Sequence, residues 1–302
     1  YPGTFLSQTS WILDNLRKRN IRYVIGLGDI TNKNTVPEWK VARSAIEIIH
    51  GRVPYILAAG NHDYGPGGNA STRDTKVSEY FPYSRYAEMP TFGGVKDPNN
   101  VENMYHLFEA GGVKWIIICL EWAPRDSAID WADSILDQYP DRKAILVSHA
   151  IMNNNDLRYD HTDTVNPQTW NPHSYSTPGP VNDGEELWQK LTRKHNFVLT
   201  VNGHVLGDGT GFRQDNNDAG FPVSQMLVNY QFRNLGGEGY LRILEFQPDG
   251  RTVRALSYST IYNSFLLAAD QDFQFDMPLG APDADADGKL DYYDESFDDD
   301  LD

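Results

Sequence analysis

Val53-Pro54-Tyr55-Ile56-Leu57-Ala58-Ala59-Gly60-Asn61-His62-Asp63 is the stretch on which the fold turns. Its first seven residues form a short apolar run that reads as a buried strand. The strand ends on an amide, an imidazole and a carboxylate in consecutive positions. In an α/β sheet, ligands and chemistry gather at that carboxyl end. Glycine lets the backbone turn sharply there, and Asn61 and His62 can both reach a metal or a phosphate. Taken alone, the four residues also fit an ordinary polar turn.

Three other apolar runs end in the same manner. Residues 21–27 lead into Gly28-Asp29, residues 143–148 into His149, and residues 197–202 into Gly203-His204. Four buried strands thus deliver Asp29, Asn61-His62-Asp63, His149 and His204, in that order, to one rim of a sheet. Converging oxygen and imidazole ligands suit hard-to-borderline divalent metals such as Mn, Fe or Zn. The ordered set is far more specific than any one member.

With these blocks the chain closely resembles the calcineurin-like metallophosphoesterase superfamily, over about residues 1–268. The resemblance implies an α/β fold, a four-layer αββα sandwich. It implies that Asp29 bridges two metals and that Asn61, His149 and His204 complete one of the two sites. His62, oriented by Asp63, would face the leaving group as the catalytic pair. The sequence also departs from the family pattern. Members usually open with a strand ending in Asp-x-His or Asp-x-Gln, whereas this chain opens at Tyr1-Pro2-Gly3-Thr4-Phe5, already past that point. The first strand is therefore expected to lie upstream or to be replaced by another segment. The last block, usually Gly-His-x-His, reads Gly203-His204-Val205-Leu206, and leucine cannot ligate a metal. One or two ions are thus expected, with Asp29 alone left of the second set and Asp208 the best substitute. No tyrosine follows Gly28-Asp29, where purple acid phosphatases carry theirs, which argues against a purple di-iron centre.

Composition bounds the alternatives. The 302 residues, 40% of them hydrophobic, can bury one large core. No apolar run reaches the roughly 18 residues of a membrane helix, so no membrane span is expected. The single cysteine, Cys119, lies in an apolar run, cannot form an internal disulfide, and reads as a small buried hydrophobe. The formal charge is −16, of which residues 283–302 hold −9. The remaining −7 includes no basic stripe with interleaved aromatics, so no nucleic acid partner is expected.

In chain order, helix and strand alternate. Thr4 is expected to cap a first helix with Phe5, Ile12, Leu13 and Leu16 inward and Arg17, Lys18 and Arg19 in its last turn. Thr35 and Glu38 form a capping box ahead of a helix lined by Trp39, Ala42, Ile46 and Ile49. Residues 64–103 and 151–182 read as long loops beside the site, suited to shape a binding wall. Residues 104–109 and 113–120 read as a hairpin, with His106 packed. Ser127 and Asp183 are expected to cap two further helices. His161 and His173 read as solvated or hydrogen-bonded loop residues. After Phe221 the pattern turns to strands.

The tail carries an independent signal beyond a linker at 269–282. Asp283, Asp285, Asp287, Asp291 and Asp294 take loop positions 1, 3, 5, 9 and 12, with Gly288 at position 6 and Lys289 offering its carbonyl. This nearly matches the EF-hand calcium spacing. It resembles thrombospondin type 3 and dockerin loops, which implies bound Ca2+ and a secreted, extracellular or periplasmic protein. The expected function is metal-dependent hydrolysis of a phosphomonoester or phosphodiester substrate. The rival expectation is a degenerate relative serving as a secreted structural or binding module, perhaps assembled through its tail into an oligomer or filament.

Overall fold

The computed structural model describes residues 1–280. The calcium loop expected at 283–294 lies outside the described residues. In chain order the elements are α1 (Pro2–Asn15), β1 (Val24–Gly26), α2 (Val36–Glu47), β2 (Tyr55–Leu57), α3 (Val77–Tyr80), α4 (Tyr83–Ala87), β3 (Phe92–Val95), β4 (Met104–Ala110), β5 (Val113–Cys119), α5 (Asp126–Leu136), β6 (Lys143–Val147), α6 (Gly184–Lys190), β7 (Phe197–Asn202), β8 (Thr210–Asn216), β9 (Pro222–Val228), β10 (Tyr240–Phe246), β11 (Thr252–Ser259), β12 (Ser264–Leu266) and β13 (Asp272–Asp276). None of the described helices is long and apolar enough to cross a membrane.

Seven strands form a mixed sheet in the order β3-β4-β5-β6-β7-β9-β8. Its centre is parallel, with Cys119 opposite Val147 and Val147 opposite Val201. Strands buried on both faces read as continuous apolar runs, and β5 is one. Its Ile117 and Cys119 enter one core with Ile145, Val147, Leu199, Val201, α2 and β11. Ile116 and Ile118 point the other way, into a second core with Ala128, Ala132, Leu187 and Trp188 of α5 and α6. The period-two alternation of a strand thus separates the two cores. Facing the large sheet are two smaller pieces: parallel β1-β2, and β10-β11 with β12 and β13 sharing the far edge of β11. The result is the expected mixed α/β sandwich, with its second sheet divided. Between β1 and β10 lies a cavity of ≈ 830 Å³, lined from the large sheet by Ile145, Leu199 and Val201.

Several boundaries differ from expectation. Pro2 occupies the first turn of α1 and Tyr1 its N-cap, so Thr4 lies inside the helix and donates to the Leu235 carbonyl at 2.7 Å. Proline suits that position because the first amides have no helical acceptor. The helix ends before Arg17. Arg125, not Ser127, stands at the N-cap of α5. The capping boxes of Thr35–Glu38 and Asp183–Glu186 both form. Cys119 is fully buried, and burial pushes its thiol pKa upward. His106 is buried beside the Thr91 hydroxyl at 3.0 Å, and burial lowers its pKa to about 3. Residues 272–276, expected in a linker, instead pair with β11 along 252–256.

Trp39 joins α2 to its surroundings. It is fully buried, donates to Asn34 Oδ1 at 2.8 Å and packs on Tyr80 and Phe81. Trp39→Ala should cost about 3–5 kcal/mol through the cavity it leaves. Denaturant melting would show the loss as a lowered midpoint, and an unchanged midpoint would contradict this packing.

Candidate metal centre

Each site residue sits just beyond a parallel strand. β1 runs through Leu27 into Gly28 and Asp29, both with positive φ (97° and 50°). β2 runs into a single 3-10 turn over Asn61–Asp63. The loops after β6 and β7 are joined by a bond from the Gly203 amide to the His149 carbonyl, at 3.1 Å. His149 then spans the two sheets, its Nδ1 lying 2.6 Å from the Leu27 carbonyl. A carbonyl only accepts, so Nδ1 carries the hydrogen and Nε2 keeps its lone pair.

That lone pair has no hydrogen-bond partner although the atom is buried. It lies 3.2 Å from Asp29 Oδ1, a short approach without hydrogen-bond direction. The Asn61 side-chain oxygen is likewise buried and unpartnered. His204 Nε2 donates to the Trp170 carbonyl at 2.8 Å, which leaves Nδ1 as its free lone pair. Ligand atoms of Asp29, His149 and His204 all lie within 4.8 Å of one another. Buried polar atoms are normally paired. An orphaned imidazole nitrogen and a second free imidazole lone pair beside one carboxylate fit a divalent cation.

The electrostatics agree with that fit. Burial would push the Asp29 carboxyl up, but the charge and contact of His149, helped by His62 and His204, bring it down to about 2. Burial disfavours charge on His149, yet Asp29 outweighs it and raises the imidazole pKa. His204 is pushed down to about 4, first by burial and then by His149. One carboxylate and two imidazoles, each with one ring nitrogen engaged by a backbone carbonyl and the other left for a cation, make a coherent donor set.

His62 and Asp63 are placed differently from expectation. The His62 amide donates to Asp29 Oδ1 at 3.0 Å, while its ring Nδ1 lies 3.0 Å from the Asn32 carbonyl. The ring is therefore oriented by Asn32 and not by Asp63. Asp63 is fully buried and accepts the amides of Ile30, Thr31 and Gly60 and the Thr31 hydroxyl, at 2.7–3.0 Å. All of its lone pairs are used in tying two loops together. Burial and the nearby Asp29 charge push its carboxyl up to about 6 despite those donors. Asp208 accepts the Thr210 amide at 3.2 Å and is outside the Asp29 group, so it does not replace the ligand missing at Leu206.

An aromatic wall went unnoticed in the sequence. The Trp122 ring lies 5.8 Å from His149 and 5.1 Å from His204, and Tyr159 and Tyr175 lie about 6 Å from His204. Trp122 follows the carboxyl end of β5, the same rim as the other site residues. That placement was a signal available in the sequence. Arg73 holds the wall by donating to the Trp122, Ala123 and Pro178 carbonyls.

A calcineurin-like phosphoesterase family model matches residues 5–208 and so spans every one of these residues. The chain belongs to the calcineurin-like phosphoesterase family. It is also similar to the uncharacterized protein YvnB of Bacillus subtilis, at 30% identity over 267 residues. That match covers 86% of this chain and only 18% of YvnB. The family's general chemistry is metal-dependent hydrolysis of phosphoesters. The cradle at Gly60 is tight: a Cβ there would overlap Asp29 Oδ1 and stand 2.8 Å from His149 Cε1. Gly60→Ala should therefore spread the donors and lower the affinity for Mn2+ or Zn2+ at least tenfold, as measured by calorimetry. Gly3→Ala, in the first turn of α1, where a Cβ meets nothing within 4 Å, is the control. Equal affinities in the two variants would count against the donor set.

Proposed function

We propose that the chain hydrolyses phosphomonoesters or phosphodiesters, with Asp29, Asn61, His149 and His204 holding a divalent Mn, Fe or Zn ion. The observation that carries this is the orphaned buried His149 Nε2, 3.2 Å from Asp29 Oδ1 and grouped with His204, with the Asn61 side-chain oxygen likewise buried and unpartnered. An ion bound there would supply Lewis acidity towards phosphate oxygens and lower the pKa of a coordinated water. The chain's own residues do the rest. His149 and His204 are locked as single tautomers by the Leu27 and Trp170 carbonyls, so their lone pairs need no reorganisation. The His62 amide holds Asp29 in place, and the ring of His62, partly exposed and held at Nδ1 by the Asn32 carbonyl, has Nε2 free to take up a proton and, as imidazolium, pass it to a leaving oxygen. The aromatic wall of Trp122 and Tyr175 limits water on one side.

With Leu206 in place of an imidazole, we expect slow turnover that needs added Mn2+. The measurement is release of nitrophenolate from a bis-nitrophenyl phosphodiester. His62→Ala should lower kcat by about 10²–10⁴-fold, the usual worth of a general acid. If activity is absent, or if the His62 variant keeps it unchanged, the reading of a non-catalytic binding or structural module takes its place.

We further infer export from the acidic tail, whose five aspartates at calcium-loop spacing repel one another unless a cation joins them. Calcium should protect residues 283–294 from proteolysis and a chelator should abolish that protection. Equal cleavage with and without calcium would refute the loop.

A further inference from the structure

A second group of metal-type side chains lies outside the Asp29 centre. His161, His173, Asp183 and Glu186 each offer one ligand atom, and the four atoms lie within 4.8 Å of one another. They come from three separate places: the loop after β6, a 3-10 turn over Pro172–Ser174, and the first turn of α6. We propose that these four residues form a structural site for a zinc-class divalent ion, which fastens the 151–182 loop to α6.

The distances suit such an ion. Tetrahedral zinc with bonds of about 2.0–2.1 Å places its ligand atoms about 3.3 Å apart. His161 Nδ1 lies 2.9 Å from Asp183 Oδ2, and His173 Nε2 lies 2.7 Å from Glu186 Oε2 and 4.0 Å from Asp183 Oδ2. Two edges are slightly short and one slightly long, so shifts of less than 1 Å equalise them. The two imidazole rings are stacked with centroids 3.7 Å apart. Two protonated rings so close would repel, whereas two neutral rings with a shared cation would not. With both imidazoles neutral, the two carboxylates supply a charge of −2 against the ion's +2. Nitrogen donors favour zinc-class ions over calcium or magnesium, which take oxygen ligands.

The supports of a metal site are already built. Asp183 is fully buried and fixed by its bond from the Glu186 amide, while Glu186 Oε2 accepts the Asp183 amide at 3.0 Å. Asn171 accepts the His173 amide at 2.9 Å and donates to Asp183 Oδ2 at 3.1 Å. Lys190 lies 3.5 Å from the other oxygen of Glu186, which leaves Oε2 facing the histidines. Both imidazoles are partly exposed, so an ion has a path in. The loop so fastened carries Trp170, whose carbonyl holds His204, and Tyr175 of the aromatic wall.

The test titrates the full-length, chelator-stripped protein with Co2+ and with Zn2+, alongside the double variant His161→Gln, His173→Gln. The native protein should bind one equivalent more than the variant and show tetrahedral Co2+ bands that the variant lacks. Affinity for that equivalent should fall more than about 100-fold, beyond what loss of an outer-shell partner costs. Zn2+ should also slow proteolysis within 151–182 in the native protein alone. Because the Asp29 centre is proposed to bind metal too, the same pair is compared in a His149→Ala background, and Glu186→Gln, which keeps a side-chain acceptor for the Asp183 amide, serves as a second probe. Equal stoichiometry and equal Co2+ spectra in the native and substituted proteins, with circular dichroism showing both folded, would overturn the site.

Discussion

The Asp63 carboxylate is the interaction on which the site depends. Fully buried itself, it gathers the Ile30, Thr31 and Gly60 amides and the Thr31 hydroxyl. A buried carboxylate is costly unless its lone pairs are filled, and filled it becomes a rigid joint. Two loops that leave neighbouring strands are thereby held at a fixed spacing. Asp29 and Asn61 take their positions from that spacing, and so does His62, whose amide reaches back to Asp29.

The two-sheet architecture supplies the other half of the geometry. Asp29 and Asn61 come from the small parallel pair, and His149 and His204 from the large sheet. The contact from His149 to the Leu27 carbonyl is the bridge between them. Behind it, the core alternation of β5 keeps both faces of the large sheet dry. Fixed dipoles and oriented donors around a dry carboxylate act far more strongly than the same groups in water.

Much of this was legible in the sequence because strand ends carry polar residues that stand out against apolar runs. The four blocks, the two capping boxes and the β4–β5 hairpin have local causes, and local causes can be read locally. What escaped was set by distant partners. Strand β8 begins in a Gly- and Asp-rich stretch that reads as a turn, and it becomes a strand only by pairing with β9. Strand β13 takes its form from β11 in the same way. Asp63 reads as an orienter of its neighbour His62, but the distant Ile30 and Thr31 amides, with the Thr31 hydroxyl and the Gly60 amide, claim its oxygens. His161 and His173 looked like two separate loop residues. They meet only because Asp183, further along the chain, accepts from one and lies close to the other.

The left-handed backbone at Asp29 and His204 has a consequence for how such a centre can drift. Their φ angles are 50° and 74°, a region that costs most side chains about 1–2 kcal/mol and β-branched ones more. Aspartate, asparagine, histidine and glycine tolerate it best. The conformation thus filters substitutions before any chemistry does. Replacements that the backbone accepts at these two positions are mostly other potential ligands, or glycine. Leu206, two residues beyond His204, lies outside that filter and has no positive φ to protect it. A chain of this shape can therefore lose a candidate donor at one position while its neighbour stays constrained, with the backbone unchanged.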